Sequence, residues 1–241
     1  MDAEQAARDS ADAIVSLPAG FMMDGATYER GGALGFEGVD FYTAGRGGVM
    51  GDVDGAAVAA AFFFFNPPTV TEAWDRTASV MGRHEAAAAF AGCLETWAAA
   101  HLPDDVAWPR LAELSGRLID AAAPPDAPLF EGWRALAEPD DPKARALQRM
   151  HVLRELRGAV HGAAVRAAGI APLEAVLVRT PFMAGLFGWP EPYPDVEARR
   201  HAWREAERAT NGAVAQAFAA LDPAERAEFV GLAGAAHKGA T

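Results

Sequence analysis

Apolar residues recur at three- and four-residue steps through most of the chain, a spacing that predicts helices rather than strands. The clearest stretch is 195–221, where Trp203, Ala206, Thr210, Ala213, Ala217 and Leu221 form one stripe. Directly after it, Asp222-Pro223-Ala224-Glu225 is a helix start: Asp caps, Pro takes the first helical position, and Glu reaches back from the third. Residues 71–100 predict a helical stretch bent or broken near Gly82, residues 108–123 a further helix, and residues 150–168 another that ends at Gly169. Asp54 ahead of residues 55–65 reads as the cap of a deeply buried helix, stopped by Asn66-Pro67-Pro68. Val39-Asp-Phe-Tyr42 is strand-like and runs into a glycine-rich turn, residues 45–51.

Between residues 121 and 142 the pattern changes. Pro124, Pro125, Pro128, Pro139 and Pro142 fall among Phe130, Trp133 and Leu136, which makes a packed connector rather than a loose tether. The two sides share a layout. Ala33-Leu-Gly-Phe-Glu-Gly-Val39 aligns with Ala167-Ala-Gly-Ile-Ala-Pro-Leu173, placing Gly35 on Gly169 and, with no gap, Gly51 on Gly185. A Pro-rich stop and a long amphipathic helix follow in each. The expected organisation is therefore a repeat over 12–122, a connector over 123–142 and a second repeat over 143–241.

Composition supports the helical reading, since alanine is abundant and β-branched residues are few. With 51% hydrophobic residues in 241, disorder is excluded. A single cysteine, Cys93, excludes a disulfide scaffold. The acidic start lacks the pattern of a secretion signal, and the longest apolar run, 55–65, is too short to cross a bilayer. A cytoplasmic protein without membrane attachment, monomeric or homodimeric, is expected. The net charge of −12 disfavours nucleic acid as a partner, because phosphate contacts supply most of the affinity of a DNA-binding face.

Few motifs carry chemistry. Gly45-Arg-Gly-Gly-Val-Met-Gly51 misses the third glycine of a dinucleotide loop, and no lysine follows for a phosphate loop. Asp52-Val-Asp54-Gly55 starts like a calcium loop but has Phe63 at the twelfth position. His84, His101, His151, His161, His201 and His237 show no ligand spacing, so no metal site is expected, and no cofactor is identified. Cys93 reads as a small buried hydrophobe. Arg46, between aromatics and glycines, either pairs with a buried acid or holds a ligand anion. Arg154, Arg157, Gly158 and His161 fall on one helix face, where His161 is a candidate acid/base and Gly158 would admit a close neighbour; the alternative is that Glu155 and Arg157 make structural ion pairs over a packed His161. Phe65 and Asn66 at the stop, and Phe187, Trp189 and Tyr193 in a loop that cannot stay regular, are candidate rim residues of a pocket.

Two resemblances follow from these residues. His161-Gly-Ala-Ala-Val-Arg-Ala-Ala-Gly169-Ile-Ala-Pro-Leu-Glu-Ala-Val176 resembles a helix-turn-helix, and Leu221-Asp-Pro-Ala-Glu225 resembles the junction of the terminal helices of MarR-type regulators. Through Phe41-Tyr-Thr-Ala-Gly-Arg46, Phe65-Asn-Pro67, Leu153-Arg-Glu-Leu-Arg-Gly158 with His161, and Phe187-Gly-Trp-Pro-Glu-Pro-Tyr-Pro194, residues 12–236 resemble an actinobacterial helix-turn-helix-like family with two MarR-like winged-helix repeats. Members often carry a His before the first-half motif; here that stretch is Asp24-Gly-Ala-Thr-Tyr28. The resemblance implies a fold and no activity: a mainly α protein of tandem degenerate winged-helix repeats packed as a pseudo-dimer. Such a dimer holds a small apolar or aromatic ligand in the cleft between its halves, with Arg46, Arg157 and His161 as polar contacts. The alternatives are a regulator that binds DNA through residues 163–178, and a scaffold for another protein.

Overall fold

Aspartates start five of the helices. Asp2, Asp24, Asp54, Asp141 and Asp222 each accept a backbone N–H of the first turn through the side chain, which satisfies donors that the helix itself leaves open. In the computed structural model, which describes residues 1–240, the chain is 73% helical and has no strand among the described residues. The first half contains α1 (Ala3–Asp9), α2 (Ala11–Met23), α3 (Gly25–Ala33), α4 (Asp40–Gly47), α5 (Gly55–Ala61), α6 (Pro67–Thr77), α7 (Arg83–His101) and α8 (Trp108–Ala121). The connector holds α9 (Pro128–Ala135), whose Phe130 and Trp133 are fully buried, so it is packed as expected. The second half contains α10 (Pro142–Ala167), α11 (Pro172–Arg179), α12 (Arg200–Phe218) and α13 (Pro223–Gly239). The capping box at Asp222 forms with Glu225 as its sequence predicts.

α10 is the spine. Its 26 residues span about 39 Å at 1.5 Å per residue. Leu147, Met150, Leu153 and Leu156 face inward, and α2, α7, α8, α9 and α12 all pack on it. One apolar core runs from Ala6 to Ala236 and joins the halves across this helix. Two small satellites, one around Val165 and Ala206 and the other around Val176 and Ala184, lie under the α10–α11 corner.

The turn after α3 and the turn after α10 are alike. Gly35 and Gly169 both take positive φ, +95° and +68°, which a glycine adopts without a Cβ penalty. In the first turn Leu34 donates to the Arg30 carbonyl and Phe36 to that of Gly31; in the second Ala168 donates to Ala164 and Ile170 to Val165. Both sets are the hydrogen bonds of a helix closed by a left-handed glycine. After Gly169 the chain bends by 111° between α10 and α11, within the range of a helix-turn-helix.

Three expectations need correction. Val39-Asp-Phe-Tyr42 is not a strand: residues 40–47 are helical and buried throughout. The glycines that look like a flexible loop serve packing instead, since a Cβ at Gly45 would stand 2.5 Å from the Phe90 Cβ and one at Gly48 would run into the Arg83 carbonyl. The helix before the Phe run stops at Ala61, and α5 is half-exposed rather than deeply buried. Phe62, Phe63, Phe64 and Phe65 form a turn because each ring has a different neighbour: Arg46, Gly162, His161 and Phe187 respectively. The mainly helical reading holds, and the described residues contain no β-hairpin wing.

Candidate functional site

Arg46 is supplied by α4, and its partner comes from α10. Its Nε and Nη2 donate to Glu155 Oε1 and Oε2 at 2.9 and 2.7 Å, a two-bonded pair that is almost wholly buried. Nη1 donates to the Tyr42 hydroxyl at 3.3 Å, and the guanidinium lies 4.4 Å from the centre of the Phe62 ring. Of the two roles open to Arg46, the structure has the ion pair with a protein carboxylate rather than an open anion anchor. Burial raises the Glu155 pKa, but the Arg46 charge and hydrogen bonds outweigh it and hold the carboxyl at about 2. Arg154 adds a bond to Glu155 Oε1 at 3.0 Å. His151 sits 3.6 Å from the same oxygen, between Trp133 and Phe21, with neither ring nitrogen hydrogen-bonded. Burial, with Arg154 and Arg46 adding to it, pushes His151 down to about 3 against the pull of Glu155.

His161 and Arg157 make a second group, one to two turns further along α10 and facing α12. Arg157 donates to Asn211 Oδ1 at 2.9 Å and to Glu207 Oε2 at 3.0 Å. The Thr210 hydroxyl donates to the Ala206 carbonyl at 2.7 Å, so its oxygen is free to accept from His161 Nδ1, 3.0 Å away. His161 Nε2 then faces Glu207 Oε1 at 3.4 Å. Burial lowers the His161 pKa, Glu207 opposes the shift, and Arg157 adds to it. Phe64 stacks over the ring at 5.5 Å, which leaves its side chain 16% exposed. Glu155 and Arg157 both make ion pairs: Glu155 with Arg46 and Arg154, and Arg157 with Glu207. Gly158 faces open space, and the close approach occurs at Gly162, where the Phe63 ring lies on the helix.

The predicted rim residues do meet. Asn66 N donates to the Phe187 carbonyl and Asn66 Nδ2 to that of Gly188, both at 2.8 Å. The Phe65 and Phe187 rings lie 4.2 Å apart, Trp189 Nε1 donates to the Phe64 carbonyl at 2.9 Å, and the Tyr193 hydroxyl donates to that of Trp189. The loop after α11 is thereby fastened to the turn after α5. Tyr42 stacks on Phe65 and so links this cluster to Arg46. Phe65, Asn66, Phe187, Trp189 and Tyr193 do not line the groove beside them.

The cavity lies on the other side of the Phe run. A groove of about 570 Å³ runs between α5 and α6 of the first half and the α10–α11 corner of the second. Its lining is mostly alanine, phenylalanine and proline, with Thr71 and the charged Glu72 and Arg166. No local pattern announces this surface, because residues 56–72 and residues 166–172 assemble it together. None of Arg46, Arg157 and His161 lines this groove.

α11, which would read DNA, is mostly covered. Ala175, Val176 and Leu177 are buried, and Glu174 is held by Arg199 at 2.8 Å. The matching helix α4 is buried entirely, with both Asp40 carboxylate oxygens accepting from Arg76, at 2.8 Å from Nε and 2.7 Å from Nη2. No single helix among the described residues is long and apolar enough to cross a membrane.

Neither the curated proteins nor the solved structures contain a match to the chain. A family model described as a helix-turn-helix family matches residues 7–203, which include both glycine-closed turns, α4, α11 and the Phe run. By that match, and with the turn geometry that fits it, the chain belongs to this helix-turn-helix family.

Proposed function

We propose that the chain binds a small, largely apolar or aromatic molecule in the groove between its halves, and that it works in the cytoplasm without reading DNA. Under this proposal the halves, 12–122 and 143–241, are degenerate MarR-like repeats packed as a pseudo-dimer around the 123–142 connector. The observation that carries it is the groove itself: about 570 Å³, walled by alanine, phenylalanine and proline, and contributed by both halves. That volume lies within the range of small-molecule sites, which are mostly apolar with few polar groups. The like turns at Gly35 and Gly169 support the repeat. Arg46, Arg157, His161 and the cluster of Phe65, Asn66, Phe187, Trp189 and Tyr193 act in this reading by fixing the Phe run that forms one wall.

Native mass spectrometry of protein purified from its own host tests the proposal. The expected result is a bound mass that is retained by the wild type and lost in Ala60→Trp, with the thermal melt unchanged because Ala60 is exposed. The same mass on both proteins, or none on either, overturns it.

A second reading, a DNA-binding regulator, is favoured by the family match and by the 111° corner. It requires α11 to leave the cover of residues 180–196. Titration of labelled duplex separates the two readings.

A further inference from the structure

Most arginines of this chain have a carboxylate within 4.0 Å, as Arg46, Arg76, Arg110, Arg149 and Arg157 do. Arg166 has none among the described residues. It stands in the last turn of α10 with its guanidinium 4.9 Å from the centre of the Phe63 ring, on the edge of the groove. We infer that Arg166 selects the anionic end of the groove's ligand, and that the ligand class is an apolar or aromatic carboxylate. This rests on the small-molecule reading above.

The geometry of the side chain gives the argument. A guanidinium lying against an aromatic face spends its π surface on the ring and keeps its N–H donors at its planar edge. That edge matches a carboxylate with two parallel hydrogen bonds. Gly162 fixes the platform: it lets the Phe63 ring lie on α10, one turn before Arg166. The rest of the lining is mostly apolar, with Ala59, Ala60, Pro67 and Pro68, and Thr71 adds a hydroxyl. The other charge on the groove, Glu72, lies in the field of Arg76 one turn along α6. One unpaired cation, on a groove that also carries the Glu72 carboxylate, suits a monoanion better than a phosphate of higher charge. Arg30, Arg83, Arg166, Arg179, Arg204 and Arg226 have no carboxylate within 4.0 Å among the described residues, and of these Arg166 lines the groove.

The test uses two matched probes, 2-naphthylacetate and 2-naphthylacetamide, titrated calorimetrically into the full-length protein. The acid is expected to bind about tenfold tighter, with an advantage that shrinks as salt is raised. Arg166→Gln should remove the preference and leave the affinity for the amide unchanged, at an unchanged melting temperature. Equal binding of both probes to the wild type, lost for both in Ala60→Trp, overturns the assignment to Arg166 and leaves the groove as a binding site. A preference for the acid that survives Arg166→Gln overturns it as well, because the anion is then recognised elsewhere. If neither probe binds, the assignment and the small-molecule reading fall together.

Discussion

Arg46 and Glu155 show what a buried ion pair does when both its edges are used. The attraction between them repays their desolvation only while the pair is intact, so removing one partner strands a charge in the core. Arg46→Ala and Glu155→Ala should each lower stability by about 3–5 kcal/mol, read from urea unfolding at neutral pH. A loss below about 1 kcal/mol in either would mean that the remaining charge reaches water. That Arg46 is not on a solvated face was legible from its aromatic and glycine neighbours; its partner was not, because Glu155 is 109 residues away and no local pattern carries that register. His151 gives the pH dependence. Its folded pKa of about 3 lies below the ordinary value of 6.5, so between these limits the unfolded chain takes up a proton that the folded chain refuses. Stability therefore falls as pH drops from 6.5 towards 3. Glu155, held at about 2, adds a further loss from about pH 4.5 downward as its pairing is protonated away. His151→Leu should remove the first loss and keep the second. The comparison is the difference in unfolding free energy between pH 7 and pH 5, which should be clearly smaller in the variant; an unchanged difference would show that the imidazole does not titrate on unfolding.

Among the elements, the helix starts were the most legible, since an aspartate cap acts on the three residues after it and needs no distant partner. Asp54 and Asp222 sit where their local sequence puts them. The elements misread were those set by neighbours. Four identical phenylalanines have no phase, so nothing local says that a helix ends before them. In α4, alternation of Val, Asp, Phe and Tyr imitates a strand, and glycines that look like a loop are there because α7 lies against them. This yields a paired prediction. Gly45→Ala puts a Cβ 2.5 Å from Phe90 and should destabilise by about 1–3 kcal/mol, the usual effect of overpacking. Gly92→Ala, on the free side of the adjoining helix with nothing within 4 Å, should instead stabilise by about 0.5–1 kcal/mol through helix propensity. Urea midpoints of the two variants measure both. If they shift in the same direction, propensity rather than close approach governs the glycines of this interface.

For the whole molecule, the legible parts were the helical content, the packed connector and the two glycine-closed helix ends at Gly35 and Gly169. The groove was not legible, because its floor and its cation lie on segments more than a hundred residues apart. The same arrangement decides what this helix-turn-helix does with DNA. A reading helix must present side chains to base edges, and cations beside it must neutralise phosphates. Here α4 is buried along its whole length, and the middle of α11 is buried under residues 180–196. At the second corner Arg166 and Arg179 stand exposed without an acid, while Arg199, also exposed, is tied to Glu174. Two phosphate contacts on a molecule of charge −12 leave little electrostatic attraction at physiological salt. We therefore expect fluorescence anisotropy with duplexes from its own promoter region to show no saturable binding up to about 10 µM protein at about 150 mM salt. Deleting the contacts that hold the cover, through Asn66→Ala and Trp189→Ala together, should loosen residues 180–196 without creating affinity, since the cations are still missing. A nanomolar complex that weakens steeply with salt would require the opposite: α11 would have to swing free of its cover and bring its exposed arginines to the backbone. The groove between α6 and the α10–α11 corner would then have to open with it.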